Sequence, residues 1–236
     1  MRVPVRAYML KTVGLKQFSC PFDWIISSPE MVADCIDSDF AMFLRKDQLF
    51  HTVDREGEYC HHRAYGKNTF HHHCPLKNAD HMAYFERCVG RWRRLRQEIA
   101  AGRANVLYVH VRIGTADDVA FRERVQALHD RLNLAGSQNK CHVLGIQCIE
   151  NRPRRSCVIM RRSSDDDGDG ITLVTMECTS RNEGLSLGDE LDNLALRSIL
   201  SWYDYDLQPL DGGGKDREAY PFASRENNTG WGCCFA

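Results

Sequence analysis

Between His51 and His81 the chain gathers His51, Cys60, His61, His62, His71, His72, His73, Cys74 and His81. Imidazole and thiol groups do three kinds of chemistry: nucleophilic attack, proton transfer and zinc ligation. Zinc takes four nitrogen or sulfur ligands, and this stretch supplies more than enough. The C-x2-C and H-x3-H spacings that put two ligands on one turn are missing, so no metal ligand is assigned. For nucleophilic chemistry, Cys20 stands just before Pro21, with Asp23 three residues on. A thiolate attacks a carbonyl carbon, a histidine takes and returns the proton, and a third polar residue orients the imidazole. Alternation along an extended segment would put His71 and His73 on the face opposite His72.

These residues need elements to hold them. Arg6 to Val13 reads as a short amphipathic helix stopped by Gly14. Pro21-Phe22-Asp23-Trp24 reads as a buried turn, in which Asp23 either caps the turn or orients a catalytic partner. Ser28-Pro29-Glu30 is a helix start, with serine as N-cap and proline at the first helical position. That helix carries Met31, Val32, Cys35 and Ile36 inward, and a second short helical piece is expected from Phe40 to Leu44. The histidine-rich stretch reads as irregular. Helix signals return from Ala79 to Ala101, followed by a buried strand at Asn105 to Ile113, NVLYVHVRI. A helix over Asp117 to Leu134 and a strand over His142 to Glu150 complete a βαβ unit, hence a parallel pair. SCVIMRR and ITLVTMEC flank an acidic turn and form a β-hairpin. That turn mimics the opening of a calcium loop, but Met176 stands where the closing glutamate belongs. A last helix, Gly188 to Trp202, precedes a Gly-rich tail.

The fold class expected is therefore α/β: a central mixed sheet with a βαβ unit and a β-hairpin, behind a helical N-terminal region. Residues 1–210 form one domain and 211–236 a flexible tail. At 236 residues the chain is long enough to bury a substantial core. Its net charge of −1 draws it neither to nucleic acid nor to an anionic membrane. No apolar run approaches the roughly 18 residues of a membrane span. The eleven cysteines are odd in number, and several sit in strand-like apolar runs. They read as reduced, buried thiols in a cytoplasmic setting. The closing Cys233-Cys234-Phe235-Ala236 meets a prenylation box only superficially.

AYMLKTVGLKQFSCPFDWIISS, the later TFHHH, and MAYFERCVGRW followed by NVLYVHV occur in that order over residues 5–112. Together they resemble the signature of a family described as papain-like cysteine peptidases. The resemblance implies a cysteine hydrolase acting on a peptide or small-molecule substrate, with His72 as general base. It implies no cofactor. The family's cysteine precedes the alanine matched by Ala7 by three residues, and Pro4 stands there. A missing N-terminal stretch, a catalytically inactive relative kept for binding, or Cys20 as a relocated nucleophile each explain this.

The βαβ unit points elsewhere, because it reads as a doubly wound nucleotide-binding sheet rather than a papain-like barrel. Ligands on such sheets bind at the C-terminal strand ends, here His110 to Gly114. Arg112-Ile113-Gly114-Thr115 would then meet a phosphate at the start of the next helix. No G-x-G-x-x-G is present. The second reading is thus a nucleotide-sugar-dependent transferase; the third is a non-catalytic binding module with a His/Cys metal site.

Overall fold

The computed structural model describes residues 19–55, 57–70, 73–102, 105–133, 141–163, 170–181, 187–201 and 231–235. The expected Arg6–Val13 helix, Pro4, His71, His72 and the acidic turn at 164–169 lie outside the described residues.

Ser28 accepts from the Met31 N–H at 3.2 Å and starts helix α1, Pro29–Asp37, with proline in its first turn. Met31, Val32, Cys35 and Ile36 are buried, as the spacing predicts. The piece expected to be helical from Phe40 to Leu44 is instead a run of turns. Asp39 and Phe40 take positive φ values of 48° and 63°, which a helix cannot continue through. The ring of Phe40 offsets that strain by packing on Phe22 and Phe43, at centroid distances of 5.7 and 5.6 Å.

The part of the histidine-rich stretch up to Phe70 forms strands rather than the expected irregular chain. Leu49–Asp54 (β1), Gly57–His62 (β2) and Gly66–Phe70 (β3) make a three-stranded antiparallel sheet. Its histidines obscured a strand pattern punctuated by Gly57 and Gly66, and Gly66 sits at φ 104° between β2 and β3.

Helix α2, Ala79–Ala100, runs into strand β4, Asn105–Gly114. Helix α3, Val119–Asn133, then leads to β5, Cys141–Ile149, which pairs parallel with β4 from Val106↔Cys141 to Gly114↔Ile149. Strands β6, Ser156–Ser163, and β7, Gly170–Glu177, form the expected antiparallel hairpin, and β7 lies parallel beside β5. Helix α4, Glu190–Leu200, follows. The region expected as a flexible tail ends in a strand, β8, Trp231–Phe235, parallel to the free edge of β4. The sheet order is β6-β7-β5-β4-β8. The fold is α/β, with a mixed central sheet.

Alternation along the strands separates two cores. Val106, Tyr108, Cys141, Val143 and Ile171 face α1, α2, α3 and the small sheet. Leu107, Val109, Val111, Leu144, Ile146, Val174 and Met176 face α4 through Leu196, Ile199 and Leu200. Helices thus cover both faces of the sheet. Among the described residues no helix is long and apolar enough to cross a membrane.

Candidate functional site

Three parallel strands lie in the order β7-β5-β4, and β8 joins on the opposite side of β4. The chain leaves β4 in one direction through α3 and returns past it by way of α4. Strand order therefore reverses beside β4, the point where open α/β sheets form a ligand crevice at their C-terminal ends. β8 pairs with β4 from Asn105↔Trp231 to Val109↔Phe235.

At the C-terminal strand ends the polar groups form one linked set. Arg112, with its side chain 40% exposed, meets Asp118 at 3.1 Å, and Arg124 meets the same carboxylate at 2.9 Å. Arg124 also reaches Glu30 in the first turn of α1, at 3.2 Å. Arg122 pairs with Asp117 at 2.6 Å. The buried Gln147 amide, in the orientation that satisfies both its ends, donates to Asp117 Oδ1 at 2.9 Å and accepts from the Asp118 N–H. Burial works to raise the Asp118 carboxyl, but Arg124 and Arg112 outweigh it and hold it below the usual carboxylate range. Asp118 also accepts from the Phe121 N–H at 3.2 Å, so a carboxylate of the chain itself caps α3. This corrects the expectation that a phosphate would sit on that helix start. An incoming anion would meet the exposed Arg112 instead.

Two of the segments that carry the family resemblance, the residues before the PFDW turn and α2, meet through Arg91 and Ser19. The Trp92 ring lies on Tyr108 of β4, with centroids 5.5 Å apart. From there α2 back to Ala79 and β4 on to Gly114 each extend about 20 Å. Tyr84, Cys88 and Arg91, at i, i+4 and i+7, share one helix face. Arg91 Nε donates to the Ser19 carbonyl at 3.1 Å, and its Nη2 lies 3.4 Å from Cys88 Sγ. The Tyr84 hydroxyl sits close to Ser19 and Cys88 and is pushed up by burial. His73 stacks on the Tyr84 ring at 5.2 Å and 17°, and His81 closes on His73 at 4.9 Å. Burial pushes the Cys88 thiol up to about 11, against the pull of the Arg91 guanidinium. Burial also lowers His73, with His81 adding to the effect.

Of the residues singled out from sequence, Asp23 is buried and its Oδ2 accepts from the Cys20 N–H at 2.8 Å, which caps the turn. Cys20 is 2% exposed and lies in that turn, not at a helix start. His72 lies outside the described residues. Ile26 N–H donates to the Thr69 carbonyl at 3.0 Å, which ties the turn to β3 just ahead of the histidines. Tyr84, Cys88 and Arg91 were not singled out as site residues, and His73 was named only as one of the clustered histidines. The spacing of tyrosine, cysteine and arginine on one helical stripe was the available signal.

Among the described residues, His51, His61 and His62 are occupied by local structure. His62 Nε2 bonds the Met42 carbonyl at 3.1 Å, and its Nδ1 accepts from the N–H groups of Ala64 and Tyr65. The His61 ring packs on Phe50 at 4.8 Å, and His51 faces Glu58 at 3.7 Å. Among the described residues no three His, Cys, Asp or Glu side chains come together to hold a metal ion. Compared with known proteins, the chain has no matching family model, no matching curated protein and no matching solved structure.

Proposed function

We propose that this chain is a transferase-type α/β domain that takes a nucleotide-activated ligand at the C-terminal ends of β4 and β5. One observation carries the reading: strand order reverses beside β4. Arg112 supplies the exposed cation for a phosphate group. The stripe of Tyr84, Cys88 and Arg91 on α2, with His73 and His81, supplies the polar wall toward the transferred group. The described cysteines are all free thiols, most of them buried, which suits a reducing compartment such as the cytoplasm.

A panel of nucleoside diphosphates and nucleotide sugars, scored by thermal unfolding, tests this. A ligand at 100 times its Kd stabilises the folded state by about 2.7 kcal/mol. For a chain of this size that raises Tm by roughly 5–10 °C. Arg112→Ala should abolish the rise. A panel without any shift refutes the reading.

A cysteine-hydrolase reading retains one supporting observation, the meeting of the PFDW turn with the Tyr84–Arg91 stripe. Within this sequence it requires Cys20 to react; a nucleophile on a missing N-terminal stretch would also serve. With Cys20 2% exposed, native protein should be alkylated by iodoacetamide at Cys20 far more slowly than at the exposed Cys157. Mass mapping that finds Cys20 labelled first would reinstate it.

A further inference from the structure

Two cysteines meet where the small sheet hands the chain on to α2. Cys60 lies in the middle of β2, across from His51 of β1 and from Phe70 of β3. β3 ends at Phe70, so the chain leaves the sheet beside Cys60. Four residues on, Cys74 packs against the same core that buries Cys60. The two thiols are hydrogen-bond partners, and the Leu76 N–H donates to the Cys60 sulfur. Residues 74–76 therefore fold over that sulfur. The Cys74 carbonyl accepts from the N–H groups of Lys77 and Asn78 at 3.2 and 3.3 Å, and His81 Nδ1 lies 3.4 Å from it. Its main chain is thus fixed before α2 begins.

The partners differ in access. Cys60 is 1% exposed, whereas Cys74 is half-buried. Burial first, and Cys74 next, push the Cys60 thiol up to about 12. Cysteine chemistry needs both a thiolate and a path from solvent, so Cys74 is the point of entry and Cys60 the partner held behind it. A second hydrogen-bonded pair, Cys148 and Cys178, is wholly buried and lacks such an entry point.

We propose that Cys60 and Cys74 are a modification site, a reversible disulfide formed by exchange with a low-molecular-weight disulfide such as oxidised glutathione. The Cys74 thiolate attacks one sulfur of the oxidant, whose S–S bond breaks and releases one thiolate. Cys60 then attacks the Cys74 sulfur, the mixed disulfide breaks, and the second thiolate leaves with the Cys60 proton. The protein gives up two hydrogens with their electrons, and the oxidant becomes two thiols. The new bond closes β3 into a covalent loop. It ties β2 to the turn that leads into α2, next to His73 on the Tyr84 ring.

Peptide mapping tests this on the full, folded chain after exposure to oxidised glutathione, with the remaining thiols blocked by N-ethylmaleimide during unfolding. In the wild type the tryptic peptides 56–63 and 68–77, which carry Cys60 and Cys74, should be joined by a disulfide. Cys148 and Cys178 should carry the blocking group. Dithiothreitol should separate the joined peptides. Cys60→Ala should stop the reaction at the mixed disulfide, with glutathione retained on Cys74. Cys74→Ser, a change at a half-buried site, should abolish the link and leave Cys60 blocked and free of glutathione. Glutathione left on Cys74 of the wild type, a Cys148–Cys178 link in place of the expected one, or a Cys60–Cys74 link that forms only in urea overturns the proposal.

Discussion

Asp192→Ala should destabilise the chain by about 3–5 kcal/mol, a large share of the 5–15 kcal/mol typical of a folded domain. The Asp192 side chain is fully buried at the start of α4. Oδ1 accepts from Arg155 Nε, and Oδ2 accepts from the Ser180 N–H at 3.0 Å and from Ser180 Oγ at 2.7 Å. One carboxylate therefore joins the loop before β6, the segment after β7 and the first turn of α4. Alanine would take the acceptor from Arg155 Nε, leaving the guanidinium to Asp189 and Thr179, and would leave the Ser180 N–H without its carboxylate. Asp189 makes the useful control. It is the N-cap of α4, accepting from the Leu191 N–H at 2.7 Å, but it is partly exposed. Asp189→Ala should cost only about 1 kcal/mol. Burial acts to raise the Asp192 carboxyl, but Arg155 and Ser180 prevail and hold it below its ordinary value. A depressed folded pKa stabilises the native state above the unfolded pKa, near 4. That contribution disappears as pH falls through the folded value. Urea titrations should thus show the wild-type advantage over Asp192→Ala in full at neutral pH and shrinking in acid. A neutral-pH loss below about 1 kcal/mol would remove Asp192 from this role.

Gly145→Ala is the second large effect, with an expected loss of about 1–3 kcal/mol from overpacking. Gly145 lies in the middle of β5, on the face covered by α3. An added Cβ would stand 2.9 Å from Val125 Cγ1 and 2.9 Å from Leu173 Cδ2. Val125 is wholly buried, so α3 would have to lift from the sheet. Because α3 starts at the strand ends beside Arg112, this substitution should also weaken ligand binding. Chemical denaturation reads the first effect. A neutral Gly145→Ala would mean that α3 sits less closely on β5 than described.

Much of this architecture could be read along the chain where a local signal existed. Ser28-Pro29 marks α1, and the buried runs at Val106 and Val143 mark β4 and β5. The β6–β7 hairpin needs only its two strand-like runs and the turn between them. The small sheet escaped because His51, His61 and His62 take strand positions that favour no strand in isolation, and their ring contacts are supplied by Phe50, Met42 and Tyr65. The turn at Phe40 escaped because a positive φ at phenylalanine is stabilised only by distant rings. β8 escaped because Trp231–Phe235 is a five-residue strand whose partner, β4, lies more than a hundred residues away. The site followed the same division. The strand ends near Arg112 were foreseeable from the βαβ pattern. The Asp118 cap was not, since nothing nearby distinguishes an N-cap aspartate from an ordinary loop acid. Asp23 was foreseen with two roles, and the hydrogen bond from the Cys20 N–H supports the capping one.

Hydrogen–deuterium exchange on the full chain, with and without nucleoside diphosphates and nucleotide sugars, tests the proposed ligand site most directly. Bound ligand should slow exchange at residues 110–118 and along residues 79–91 of α2. If no nucleotide changes exchange in either stretch even at millimolar concentration, the C-terminal ends of β4 and β5 are not a nucleotide site.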